Sequence, residues 1–397
     1  MKLAERVSHL GTETAFAVSA EAAAYAAKGN KVYPFHIGDM NLPTPQNIQE
    51  AAIRAMRGGK TGYCPNWGIM PLREALAAEV SRTHGTSYTP ENVAIQPGGK
   101  PVIEKFLLSL VNPGDEVLYP NPGFPIYESQ IEFQGAKAVP YGFVPGKDNF
   151  LLDFEAIERS LTPRTRAIIF NNLHNPTGAV SPREEIEALA ELCRKHDLYV
   201  LSDEAYWDVR YAGDSLSIAS LPGMAERTVI LYTFSKKFAM TGWRLGGAVG
   251  PKDVVAVIAT LNVNEESCTN HFVQYAGVEA LTGDQAAAAE ILGILQERRD
   301  VAVDLLNSIP GVTCYSPTAT FYLYPDVTGA MERVGAAGYD QFRLAALEKT
   351  GCSFCTRLHF GRALPGETRH YVRIAYSGID TDQIREGLGL FKEWIES

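Results

Sequence analysis

YTFSKKFAMTGWRLGG, residues 232–247, places two adjacent lysines after an apolar, β-branched run (TVILYTF, 228–234), with Arg244 eight positions beyond Lys236. A buried strand does not end in paired ammonium groups without a reason, because a charge taken out of water is costly unless something pairs with it. Two other apolar runs end in the same way. RAIIFNN (166–172) leads into LHNPTG and sets Asn175 just past a strand, while LYVLSDEAY (198–206) ends on Asp203 and Tyr206. Asn175 and Asp203 are 28 residues apart, Asp203 and Lys236 are 33 apart, and each interval is about one strand–helix–strand unit. Open α/β sheets bind ligands beyond the carboxyl ends of their strands. The spacing therefore predicts that an amide, a carboxylate, a phenol and a lysine converge on one crevice.

The surrounding pattern predicts the sheet itself. NVAIQPGG, DEVLYPN, AKAVPYGF and RLGGAVG join the three runs above as seven strands between residues 92 and 250. Near-continuous apolar strands alternating with amphipathic helices such as KPVIEKFLLSLV (100–111) imply an α/β fold, a mainly parallel sheet covered on both faces. For SPREEIEALAELCRKH (181–196) the expected start is Ser181 as N-cap, Pro182 as first helical residue and Glu184 closing a capping box. Beyond residue 285 a long helical run, the expected strand pair in GVTCYSPTATFYLYPDV, and RHYVRIAYS between two further helices predict a smaller α+β unit. The expected division is a large domain over 46–285, a small one over 286–397, and an N-terminal arm over 1–45 that completes the small domain.

At 397 residues, 46% hydrophobic and 21% charged, the chain has the composition of a folded protein long enough for two domains. The net charge of −10 and the lack of a basic block argue against a nucleic-acid surface. MKLAERVSHLGTETAF lacks the apolar core of a signal peptide, and no run reaches the length of a membrane span, so a cytoplasmic protein with no membrane partner is expected. Of six cysteines only Cys352 and Cys355 form a CxxC. It has no second pair to complete a metal site, so two packing residues are expected there and no metal.

One ligand uses a lysine, a carboxylate, a phenol and an amide together: pyridoxal 5'-phosphate. Its aldehyde forms an imine with a lysine, and a carboxylate keeps its ring nitrogen protonated. Its phenolate oxygen wants Tyr and Asn donors, and its phosphate wants an arginine, hydroxyls and a helix N-terminus. S-K-x-x-x-M-T-G-W-R (235–244), N-P-T-G (175–178) and D-E-x-Y (203–206), in this order, resemble the class I/II aminotransferases of fold type I, the aspartate aminotransferase superfamily.

The resemblance implies a homodimer with shared sites that moves an amino group between an L-amino acid and a 2-oxo acid by a ping-pong route, with aspartate, alanine or glutamate-type substrates. It implies that Lys236, directly after the serine, is the imine-forming base. Asp203 would pair with the ring nitrogen, and Tyr206 and Asn175 would hold the phenolate oxygen. Arg244, Ser235, Thr233 and the Gly98-Gly99-Lys100 turn would hold the phosphate, with Phe124 stacked on the ring. Tyr63 in GYCPNWG would reach the neighbouring subunit's phosphate. Arg373 in YVRIAYS would clamp the substrate α-carboxylate, together with Asn175, where Gly38 lets the backbone approach. Lys100 is the first candidate for a distal substrate carboxylate, with Arg357 and His359 as alternatives.

Three places depart from the common pattern. They are Lys237, where a small residue is usual; Asp39-Met40-Asn41 in place of Glu-Pro-Asp; and the Cys355–His359 loop. Lys237 reads as a structural cation. The same cofactor residues would serve an elimination or oxidative reaction. A cofactor-bound regulatory module is the remaining reading, but the chain has no spare DNA-binding segment for it.

Overall fold

Seven strands line up as predicted because each run is apolar on both faces. In the computed structural model, which describes residues 2–11 and 14–397, they are β1 Val93–Gln96, β2 Glu116–Pro120, β3 Lys137–Tyr141, β4 Thr165–Phe170, β5 Tyr199–Asp203, β6 Thr228–Thr233 and β7 Gly246–Val249. Their order across the sheet is β1-β7-β6-β5-β4-β2-β3, and only β7 runs antiparallel to its neighbours. Successive side chains alternate between faces. Ala167, Ile169, Leu201, Val229 and Leu231 pack on one side with helices α3 (Lys100–Leu110) and α4 (Ile126–Phe133). Ile168, Phe170 and Val200 pack on the other with Ile186 and Leu189 of helix Arg183–Lys195. Ile230 and Tyr232 share that second side with helix α2 (Met70–His84).

The helix near 183 starts later than expected. Pro182 is its N-cap and no side chain caps it, so the Ser181–Glu184 box does not form. The neighbouring Glu185 instead accepts the backbone N–H of Leu152 at 2.7 Å, because tertiary pairing offers it a buried donor.

A second apolar cluster joins Tyr33 and Phe35 to residues from helix Ala286–Asn307, helix Tyr339–Thr350 and the terminal helix Thr381–Glu396. Its three-stranded sheet sets Val372–Ala375 between Tyr322–Leu323 and Cys355–Thr356. The strand pair expected within 311–327 reduces to a single bridge between Thr313 and Asp326, since Tyr322–Leu323 pairs with Val372–Ala375 instead. Tyr33–Pro34 runs parallel to Cys352–Ser353, tying the N-terminal segment to this unit. Further upstream, Gly11 exchanges hydrogen bonds with Ser129 of α4, so the first residues lie against the large sheet's helices. Cys352 and Cys355 are buried thiols that donate to different carbonyls, of Gly387 and His36. Among the described residues no helix is long and apolar enough to cross a membrane.

Candidate active site

A cavity of about 310 Å³ opens where β4, β5 and β6 end, and Tyr322, Phe360 and Arg373 of the smaller unit wall its far side. Strand alternation explains what enters it. Asp203 follows Leu201 on the α3/α4 face, and Thr233 follows Leu231. Lys236 stands three residues beyond the end of β6. Its Nζ donates to the Gly38 carbonyl at 3.2 Å and lies 5.7 and 5.3 Å from the ring centres of Tyr206 and Phe321. A Cβ added at Gly38 would lie 2.1 Å from the Tyr322 hydroxyl, so no side chain fits where the backbone approaches the lysine.

Asp203 is buried and accepts the Tyr127 hydroxyl at 2.6 Å and the Ala205 N–H at 3.1 Å. Burial holds its carboxyl above the usual range, and the Tyr127 hydrogen bond works against that rise. Asp203→Asn is therefore expected to raise the thermal midpoint of the cofactor-free protein near pH 7, with a gain that shrinks as pH falls towards 4. A carboxyl whose folded pKa exceeds its unfolded value, about 3.9, contributes fully below that pH. Its contribution is lost as pH rises through the folded pKa, whereas asparagine mimics the protonated form and loses nothing. Thermal denaturation of both proteins across that range checks the sign.

The opposite end of the cavity is built for an anion. Arg244 lines it from a left-handed backbone conformation (φ 53°), which its Nη1 bond to the Thr241 carbonyl at 2.8 Å accompanies. Gly98 lies directly beneath this side chain, where a Cβ would sit 2.1 Å from Arg244 Nη2. Thr233 and Ser235 join their hydroxyls at 2.9 Å, and Gly99 and Lys100 open α3 into the same space. Phe124 covers this region, with Lys100 Nζ 5.6 Å from its ring centre.

On the far wall, Arg373 is 4% exposed. It donates to Asn175 Oδ1 at 3.1 Å and to the His36 carbonyl at 2.7 Å, between the rings of Tyr322 and Phe360 at 4.4 and 4.6 Å. Its Nε is buried without a hydrogen-bond partner. A buried guanidinium with donor capacity left over calls for an anion.

The fold thus brings Lys236, Asp203, Tyr206, Asn175, Thr233, Ser235, Arg244, Gly38, Gly99, Lys100, Phe124 and Arg373 to one cavity. Three expected residues lie elsewhere: Gly98 sits beneath the Arg244 side chain and does not itself line the cavity. Tyr63 is 87% exposed and away from this chain's own cavity. Arg357 is buried and held by Glu367 at 2.6 Å and by the carbonyls of Gly361 and Arg362, so the expectation that it reaches substrate does not match its placement. His359 does line the cavity, with Nδ1 accepting the Thr356 N–H. Lys237 turns away to Asp208 at 3.4 Å and Glu79 at 3.6 Å.

Three residues escape the sequence reading. Tyr127 follows Phe124 by three positions at a helix start, a same-face spacing that could have flagged it. Asn171 donates to the Asp203 carbonyl at 2.9 Å and accepts the Asn175 N–H at 3.0 Å. Tyr322, bonded to the Tyr206 hydroxyl at 2.7 Å, carries no sequence signal at all.

The sequence pattern described as aminotransferase class I and II matches residues 30–390. The chain belongs to that family. The aspartate aminotransferase of Geobacillus stearothermophilus is 34% identical over 365 residues, covering 91% of this chain and 92% of the relative. The aspartate/prephenate aminotransferase of Cereibacter sphaeroides is 34% identical over 368 residues, covering 90% and 92%. The structure of the Thermus thermophilus aspartate aminotransferase with maleate matches with a TM-score of 0.90 at 32% identity, over 99% of both chains. This aminotransferase is accordingly a transaminase of fold type I, and the elimination reading of the same residues is not favoured. The family depends on pyridoxal phosphate. The donor set suits that group: an amine, a carboxylate and phenol in the middle, and an arginine, two hydroxyls and a helix N-terminus at one end.

Proposed function

We propose that the cavity holds pyridoxal 5'-phosphate and transaminates a dicarboxylic amino acid of the aspartate or glutamate type, with a 2-oxo acid as acceptor. The observation that carries this reading is the convergence of Lys236, Asp203 and the half-satisfied Arg373 on one enclosed space. Arg244, Thr233, Ser235 and the Gly99-Lys100 amides would take the phosphate, Asp203 the ring nitrogen, Tyr206 and Asn175 the phenolate oxygen, and Phe124 the ring face. When bound, the cofactor supplies an aldehyde for the amino group and a ring that draws electrons from the substrate α-carbon.

The chain's own residues then do the following. Arg373 grips the α-carboxylate through its planar fork and turns the α-hydrogen towards Lys236. Lys236 Nζ takes the proton from the α-carbon and delivers it within the same half-reaction, and it runs the transfer in reverse in the second, so the amine must be unprotonated when it meets the α-hydrogen. The walls of Tyr322, Phe321 and Phe360 keep water from competing for the amine.

Lys100 is our candidate for the distal carboxylate. Its ammonium stands over Phe124 at the cavity wall, and a relative of the same fold was solved with maleate, a dicarboxylate. Lys100→Ala is expected to lower kcat/KM for aspartate by about 10- to 100-fold, the worth of one charge-assisted hydrogen bond, and to leave alanine within threefold. Arg357→Ala should instead lower stability without altering the aspartate-to-alanine ratio, since Glu367 would lose its buried partner. Specificity constants for the two donors in each variant check both. An unchanged ratio in Lys100→Ala removes Lys100 from substrate recognition.

The exposed Tyr63 supports a homodimer in which its hydroxyl completes the partner's phosphate site. Tyr63→Phe should weaken cofactor retention by about 1.5–3 kcal/mol at most, measured as the dissociation constant for pyridoxal phosphate. A monomer with full activity at assay concentration would contradict the shared site.

A further inference from the structure

We propose that His84 is a positioning residue for the cofactor site: it cancels the charge of Glu204 on the opposite face of β5, leaving Asp203 as the only net negative group at that strand's end. The proposal rests on the reading above that Asp203 faces the cofactor ring nitrogen.

Two acidic residues follow one another where β5 ends. Strand alternation sends Asp203 into the cavity and turns Glu204 to the other face, where it is 3% exposed. Glu204 Oε1 accepts the hydroxyls of Ser202 and Ser217, each at 2.8 Å, and Oε2 is in direct contact with His84 Nε2. His84 is the last residue of α2, and its ring lies flat on Trp207 with centres 4.0 Å apart and an interplanar angle of 18°.

The protons on His84 can be assigned from its partners. The Thr83 hydroxyl donates its only hydrogen to the Glu79 carbonyl at 2.8 Å, so towards His84 Nδ1, 2.6 Å away, that oxygen accepts. Nδ1 therefore carries a proton. The contact between Nε2 and Oε2 requires one more, since a bare nitrogen lone pair facing a bare carboxylate oxygen is repulsive. Wherever that second proton rests, His84 and Glu204 together are neutral.

The neighbouring charges show why this matters. Asp203 faces Tyr127 from α4, Tyr206 from its own loop and Lys236 from the end of β6, and a charged Glu204 pushes its carboxyl towards protonation. Glu204 also faces Tyr88, beyond the end of α2. Two adjacent carboxyls out of water compete for ionisation, and the one without a cation wins only if the other is neutralised. His84 removes that competition and leaves Asp203 free to ionise against a cationic ring. Its flat contact with Trp207 also fastens α2 to the loop that carries Tyr206.

The test is cofactor affinity rather than turnover. Cofactor-free protein is titrated with pyridoxal phosphate between pH 5 and 9, following absorbance of the bound cofactor. Affinity of the wild type should fall on the acid side as Asp203 takes a proton. His84→Gln should move that fall to higher pH by about one unit, a tenfold loss in affinity at a fixed pH on the slope. The double variant His84→Gln/Glu204→Gln, which restores a neutral hydrogen-bonded pair, should return the profile to the wild-type position. If His84→Gln does not fold, Glu204→Gln alone decides: with its charge already cancelled by His84, its removal should leave the fall where the wild type has it, and a shift to lower pH would show an uncancelled Glu204 and overturn the proposal. A loss of affinity equal at every pH, or a double variant that does not recover, would overturn the proposal. Asp203→Asn is the control for the underlying reading. If it binds cofactor as tightly as wild type over the whole range, the assignment of Asp203 fails, independently of His84.

Discussion

Lys236→Ala is expected to lower kcat by at least about 10⁴-fold, while Lys237→Ala stays within about threefold of wild type. A positioned general base alone is worth about 10²–10⁴, and the proposed Lys236 also holds the cofactor covalently, so the loss lies at or beyond the top of that range. Its neighbour has a different environment. Lys236 Nζ is inside the cavity on the Gly38 carbonyl, whereas Lys237 Nζ lies with the carboxylates of Asp208 and Glu79, outside that space. Those pairs are partly exposed, so the Lys237 variant should lose about 1 kcal/mol of stability or less. Single-turnover rates with amino donor, together with borohydride trapping of the cofactor and peptide mapping, separate the two lysines. Cofactor trapped on Lys237 would refute the assignment.

Arg373→Ala should cost about 10²–10³-fold or more in kcat/KM for every amino donor, acidic or neutral, and this uniformity distinguishes it from Lys100→Ala. The guanidinium is buried between Tyr322 and Phe360, with its Nε unbonded to any oxygen or nitrogen and the Cys355 thiol beside it. Removing one member of a buried charge pair costs about 3–5 kcal/mol, part of which is the unpaired carboxylate left behind. Arg373→Lys should recover little, because an ammonium cannot reproduce the two-pronged contact or bond Asn175 and His36 together. Saturation kinetics with aspartate and alanine check both variants. A loss confined to aspartate would mean that Arg373 reads the distal group.

The seven strands and the residues at their ends were legible in the sequence because both depend on local chemistry. A strand buried on both faces must be apolar throughout, so the polar residues where it ends stand out against it. Period-two alternation then sends Asp203 and Thr233 to the face of the apolar residues two positions earlier. The order of the residues proposed to hold the cofactor came instead from the resemblance of the motif around Lys236 to the aminotransferase family.

What the tertiary structure alone decided concerns partners far apart in the chain. In sequence Arg373 is expected at the substrate α-carboxylate, and Arg357 is an alternative to Lys100 for the distal one. The fold gives Glu367 to Arg357 and leaves Arg373 in the cavity wall with a buried Nε unbonded to any oxygen or nitrogen. The capping box expected of Ser181 and Glu184 does not form, and the neighbouring Glu185 takes a backbone donor on a strand far away in sequence. Tyr127, Tyr322 and His84 acquire their places only when α4, the small sheet and α2 close on the ends of β5 and β6. Apolar patterning specifies which faces must be buried, and it does so from neighbouring residues. Which polar groups meet inside, and hence which charges are cancelled and which are left to act, depends on distances that local pattern does not encode.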